Sequence, residues 1–166
     1  MTGNAATMTT TEAPSPRLVA AQMRLGILAT ESVPLWAAHW LVQGFDGEAV
    51  VELAGLSGRD TRSVADALPA ALEEAGIPPM TSLQAEVKVA FDHIAAMHVQ
   101  GRASWRWVME TVRETISQGG YEFEFFDEPL AAVYGLDDEL GAEWGRAEPE
   151  LARDVLRACE QQLNPA

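Results

Sequence analysis

The stretch SVPLWAAHWLVQG, residues 32–44, decides the fold. Ser32 followed by Val33 and Pro34 reads as a helix start, because proline is tolerated in the first turn, where an N–H would have no intrahelical partner. Gly44 reads as the stop. Between them Val33, Leu35, Trp36, Ala37, Ala38, Trp40, Leu41 and Val42 leave almost no polar face, and only His39 and Gln43 interrupt, four apart on one stripe. A helix that is apolar nearly all round is expected at the centre of its fold. The expectation is an all-α, single-domain helical bundle of about seven helices. Its hub is the apolar helix at about 32–43, packed by helices over 83–100 and 104–118.

Upstream of the hub, Ser15 and Pro16 open a helix running to about Ala29, with Leu18, Ala21, Leu25 and Leu28 on one side. Residues 1–14 are rich in Thr, Ala and Pro and cannot bury a face, so they read as a disordered N-terminal tail; residues 15–166 are the helical domain. Downstream, Asp46 and Asp60 each read as the cap of a short helix, and Pro69 as a kink or restart in the second of these. Pro78 and Pro79 form a stop. Thr81 and Gln84 match a capping box, followed by the stripe Leu83, Val87, Ala90, Phe91, Ile94 and Met97. Ser104 caps the next helix, whose buried stripe is Trp105, Val108, Met109, Val112 and Ile116, closed by Gly119 and Gly120. Residues 121–125, YEFEF, alternate aromatic and acidic side chains at a strand period. No second such run exists to pair with it, so it is read as an extended linker whose aromatics pack on the helices. A short helix over 127–134, an acidic loop or short helix over 136–145, and a last helix from Glu148-Pro149 to about Leu163 complete the chain.

The 166 residues carry 25 acidic and 11 basic side chains, a formal net charge of -14. That disfavours nucleic acid and anionic membranes as partners, since both need clustered Lys and Arg. A basic partner is favoured instead, because acidic charge steers it electrostatically. Lys88 is the sole lysine, and with abundant Ala, Gly and Arg the composition and helix order resemble those of small acidic proteins of GC-rich bacteria. Cys159 is the sole cysteine, so no intramolecular bridge forms and a reducing compartment fits. The N-terminus lacks a basic start with an apolar stretch behind it, and no apolar run approaches membrane-spanning length, so a cytoplasmic location is expected.

No P-loop, GxGxxG, GxSxG or paired CxxC occurs, which points away from catalysis and from a cofactor. His93 lies two turns from Glu86 on the same helix, but Glu-x-x-His and His-x-x-x-His are absent, so no metal is expected. Asp137, Asp138, Glu139 and Glu143 lack the spacing of a calcium loop and read as a solvated loop. Cys159 falls inside the apolar stripe of the last helix and is expected to be buried and inert. Trp107 is the most informative residue: on the helical wheel it faces away from the Val108 stripe, among Glu110, Glu114 and Gln118. A tryptophan among carboxylates is the anatomy of a binding hot spot. The leading expectation is a non-catalytic protein-binding or adaptor protein, of the immunity or antitoxin kind. It would neutralise a basic partner through Trp107, Glu110 and Glu114. The alternative is an enzyme or small-molecule binder with a pocket around Trp36, His39 and Trp40, joined by His98 from the apolar stripe of its own helix. A self-associating subunit is a third reading.

Overall fold

The computed structural model describes residues 13–79 and 82–165. Among them every regular element is helical, as expected. The α-helices are α1 (Pro16–Leu25), α2 (Val33–Val42), α3 (Glu48–Ala54), α4 (Thr61–Glu74), α5 (Leu83–Val99), α6 (Trp105–Gln118), α7 (Phe123–Phe126) and α8 (Glu148–Leu163). Single 3-10 turns lie at Thr30–Ser32, Pro129–Val133 and Leu136–Glu139. The described chain forms two compact units. One holds residues 13–20 and 29–78; the other holds residues 21–28 and the chain from α5 onward. Helix α1 is therefore shared, with its first half in one unit and its second half in the other. It ends at Leu25 and not near Ala29. Gly26 takes φ +74°, and the Ile27 amide turns back to the Gln22 carbonyl at 3.0 Å, which closes the helix.

In the first unit α3 packs against both α2 and α4. The expectation that α2 is buried on every side is corrected: it buries Val33, Pro34, Ala37 and Trp40, while Leu35 is 64% and Val42 87% exposed. The helices expected to pack on it, α5 and α6, belong to the other unit. Trp40 is wholly buried, and its indole N–H donates to the Pro14 carbonyl at 2.8 Å. Pro14 is half-buried; the first twelve residues of the expected tail lie outside the described residues. At the other edge of this unit a Cβ on Gly58 would overlap the Glu31 carbonyl, so glycine lets α4 start close against the Thr30–Ser32 turn.

The start of α3 is not capped by Asp46. Gly47 stands at the cap position with no side-chain bond, and Glu74 reaches across from the end of α4 instead. Its Oε2 accepts from the amides of Ala49 at 2.9 Å and Val50 at 3.3 Å, serving two of the orphan donors that every helix start presents. A negative charge there also meets the positive end of the helix. A Cβ on Gly47 would overlap this carboxylate. Glu74→Ala is expected to lower stability by about 1 kcal/mol, and Gly47→Ala by a similar amount through eviction of the carboxylate. Urea unfolding of both variants checks this; a Glu74→Ala midpoint equal to that of the native chain would remove the cap. Asp60 does cap α4, accepting from the Ser63 amide at 3.1 Å and the Ser63 hydroxyl at 2.6 Å. Helix α4 then runs unbroken through Pro69, without the expected restart.

In the second unit α8 lies against α5, α6 and the Pro129–Val133 turn. The core is built on Phe91, Val112, Ile116, Phe125, Leu130 and Val155. Ser82 and Ser104 cap α5 and α6, accepting from the amides of Ala85 and Trp107, each at 3.1 Å. Thr81, expected in the first of these caps, lies outside the described residues. Gln84 donates to Glu128 at 2.6 Å.

The extended linker expected over 121–125 is corrected. Tyr121 takes φ +59°, and residues 123–126 close one helical turn. That turn buries only Phe125, whose ring centroid lies 5.9 Å from that of Phe91; Phe123 is 85% exposed. The acidic stretch that follows is not simply solvated. Asp137 pairs with Arg113 at 3.0 Å, and Glu139 accepts from Arg146 through both oxygens at 2.9 and 3.0 Å. The Arg146 guanidinium holds the Glu139 carboxyl below its usual range.

Two polar groups sit deep in this unit. Glu86, 1% exposed, pairs with Arg24 at 2.9 Å. Gln162, equally buried, donates to Asp92 at 2.7 Å and to Glu128 at 2.6 Å, while its Oε1 accepts from the Leu130 amide at 3.1 Å. This joins α5, α8 and the Pro129–Val133 turn.

Candidate functional site

The site candidates of the first unit lie on α2. Trp36 and His39 are half-buried, whereas Trp40 is core, with its only polar atom bonded to Pro14. His98, their expected companion, belongs to the other unit. Its Nδ1–H donates to the Ala103 carbonyl at 2.8 Å, which pins the turn between α5 and α6. Cys159 is wholly buried on α8, and burial, followed by the charge of Glu160, pushes its thiol up to about 11. A thiol held protonated in this way is a poor nucleophile. Glu86 is paired with Arg24 and sits in the core. Among the described residues no three His, Cys, Asp or Glu side chains gather to hold a metal ion.

The second unit carries a cleft of about 190 Å³ between the end of α1, the middle of α5 and the length of α6. Trp107, Thr111, Glu114 and Gln118 follow one another at turn spacing along α6 and form one wall. His93 and Ile94 on α5 form another, and Gln22 and Ile27 complete it. Trp107 is half-buried, packed at its base on the core, while Glu110 and Glu114 are exposed. Neither carboxylate is paired with a cation among the described residues. The other lining groups point to a specific need. Gln22 Oε1 is buried and has no hydrogen-bond donor among the described residues. Such an oxygen costs about 1–3 kcal/mol while it stays unsatisfied. Burial, helped by the charge of Arg102, pushes His93 below its ordinary value, so its imidazole is neutral at pH 7 and keeps one ring nitrogen as an acceptor.

A second cleft, of about 310 Å³, adjoins the first and shares Glu114 and Gln118 with it. Its other walls are Arg113, Ser117, Tyr121 and Tyr134. The Tyr134 ring meets those of Tyr121 and Phe126 edge-on, with centroids 6.4 and 5.6 Å apart. The result is a continuous stripe: Trp107, an unpaired carboxylate, then an exposed aromatic cluster.

The outward placement of Trp107, Glu110 and Glu114 on α6 was legible from the helical wheel, although Glu110 lines neither cleft. Gln22, His93 and Tyr134 were not, because only tertiary folding brings them to α6. The unmatched polarity of Gln22 leaves no trace in sequence. The left-handed Tyr121, which turns the aromatic cluster outward, stands where the alternating pattern pointed to a strand. Comparison with family models, with curated proteins and with solved structures finds no match to this chain, so the case for what it does rests on this stripe.

Proposed function

We propose that the chain is a non-catalytic binding protein, an adaptor or a neutraliser of the immunity or antitoxin kind, that engages a basic protein partner through the α6 stripe. The observation that carries this is the pair of adjoining clefts sharing Glu114, with Trp107 in one and Tyr121 and Tyr134 in the other. Binding energy in interfaces concentrates on such aromatic anchors, set in partly desolvated pockets and ringed by polar groups. Glu110 and Glu114 contribute unpaired negative charge beside the anchors. The net charge of -14 supplies a long-range field that speeds encounter with a cation-rich surface.

The test is binding to a basic partner recovered with the tagged chain from its host. Trp107→Ala is expected to weaken that complex by more than about 1 kcal/mol, roughly fivefold in Kd. Removing Glu110 and Glu114 is expected to slow association and flatten its salt dependence. An acidic partner, or a Kd unmoved by Trp107→Ala, overturns the reading.

A further inference from the structure

We propose that the cleft beside Trp107 is a socket for one guanidinium group, the end of an arginine side chain. The inference rests on the reading that α6 meets a basic partner, and it names the chemical group the cleft takes.

The lining selects among ligand classes. An anion would enter beside the Glu114 carboxylate, which is paired with no cation among the described residues; the Arg102 charge reaches the cleft only at His93 on the α5 wall. A purely apolar group would fill the space and leave Gln22 Oε1 without a donor. A cation rich in N–H donors satisfies both. Gln22, whose buried Oε1 lacks a donor among the described residues, lines the cleft with His93 and Thr111, which also carry acceptor atoms, and exposed Glu114 supplies charge at the solvent end. Trp107 adds an aromatic ring to the lining. Guanidinium fits this set better than ammonium. It is flat, carries five donors and no acceptor, is weakly hydrated, and stacks on aromatic faces. An ammonium is a compact, strongly hydrated charge that gives up more water on entering a half-buried cleft. The space, about 190 Å³, accommodates one such planar group with part of its aliphatic stem.

The chemistry has two sources, a free guanidine or an arginine on a protein, and the probes separate them. The full-length chain is titrated with N-acetyl-arginine methylamide, methylguanidinium, the lysine amide and the uncharged citrulline amide. Binding is followed by the Trp107 indole NMR signal, identified by its loss in Trp107→Phe. The arginine amide is expected to saturate the site and to bind about tenfold tighter than citrulline, which keeps the shape and loses the charge. Gln22→Leu and Glu114→Gln are each expected to weaken it by about fivefold or more. Gln22→Leu alone is expected to raise the melting temperature of the free protein, because the unsatisfied oxygen is gone. Tighter binding of the arginine amide than of methylguanidinium assigns the site to a protein side chain; equal binding assigns it to free guanidines. Equal affinity for arginine and citrulline, tighter binding of the lysine amide, or wild-type affinity in Gln22→Leu overturns the proposal. If the socket fails while Trp107→Ala still releases a basic protein, the partner reading stands without it.

Discussion

Gln162→Glu is expected to destabilise the second unit by about 3–5 kcal/mol, although the two side chains have nearly the same shape. The native amide reads three partners at once. Its nitrogen donates to Asp92 and Glu128, and its oxygen accepts from the Leu130 amide. Lys88 and Gln84 serve the remaining carboxylate oxygens of Asp92 and Glu128, each at 2.6 Å. A carboxylate at 162 removes the donor shared by two acids and places a third beside them, in a position only 1% exposed. Gln162→Leu loses the same bonds and adds no charge, so its loss is expected to be smaller, about 2–3 kcal/mol. Urea midpoints of the two variants at neutral pH test the order. Leu worse than Glu would mean that packing at this position, and not the donor, holds α8 to α5.

Phe125→Ala is expected to cost about 3–5 kcal/mol through lost burial and the cavity left beside Phe91. The ring lies so close over Gly119 that a Cβ there would overlap it and crowd the Thr115 carbonyl. Gly119 has φ -77°, so an alanine suffers no backbone strain and its cost reports its contacts with the Phe125 ring and the Thr115 carbonyl. Gly119→Ala in the native chain is expected to lose about 1–3 kcal/mol by overpacking. In the Phe125→Ala background the same change is expected to cost less, because the ring it strikes is gone and only the approach to the Thr115 carbonyl remains. A double-mutant cycle by chemical denaturation measures the difference. Full additivity of the two costs would show that Gly119 is needed for another reason.

The contrast between α2 and α6 shows what could be read from sequence. Several helix ends were legible where the determining chemistry is local. Ser104 and Asp60 accept from amides three residues on, and Gly120 turns the chain at positive φ after α6, although the equally local stop at Gly26 was passed over. Helix α6 was legible as a whole because its apolar stripe and its Trp107 face are distinct at a period of 3.6 residues. Helix α2 has no such contrast. A helix apolar on all sides names no face, and burial is decided by what its neighbours leave uncovered, which put Leu35 and Val42 in solvent. The cap of α3 escaped for the same kind of reason: Glu74 is distant in sequence, while Asp46 was near and chemically suitable. In the site, His98 looked stronger than His93 on the wheel because it falls in the apolar stripe. Folding gives His98 a backbone carbonyl five residues on and leaves His93 lining a cleft.

The chain enters the second unit at residue 21, leaves it at 29 for the first unit, and returns after 78. On a ribosome, the first unit has all of its described residues once α4 has emerged. Gln22 and Ile27 must then wait, hydrated, through the synthesis of α5 and α6 before the cleft has walls. The Gln22 oxygen is therefore enclosed only once α6 has been made and packs beside α1 and α5.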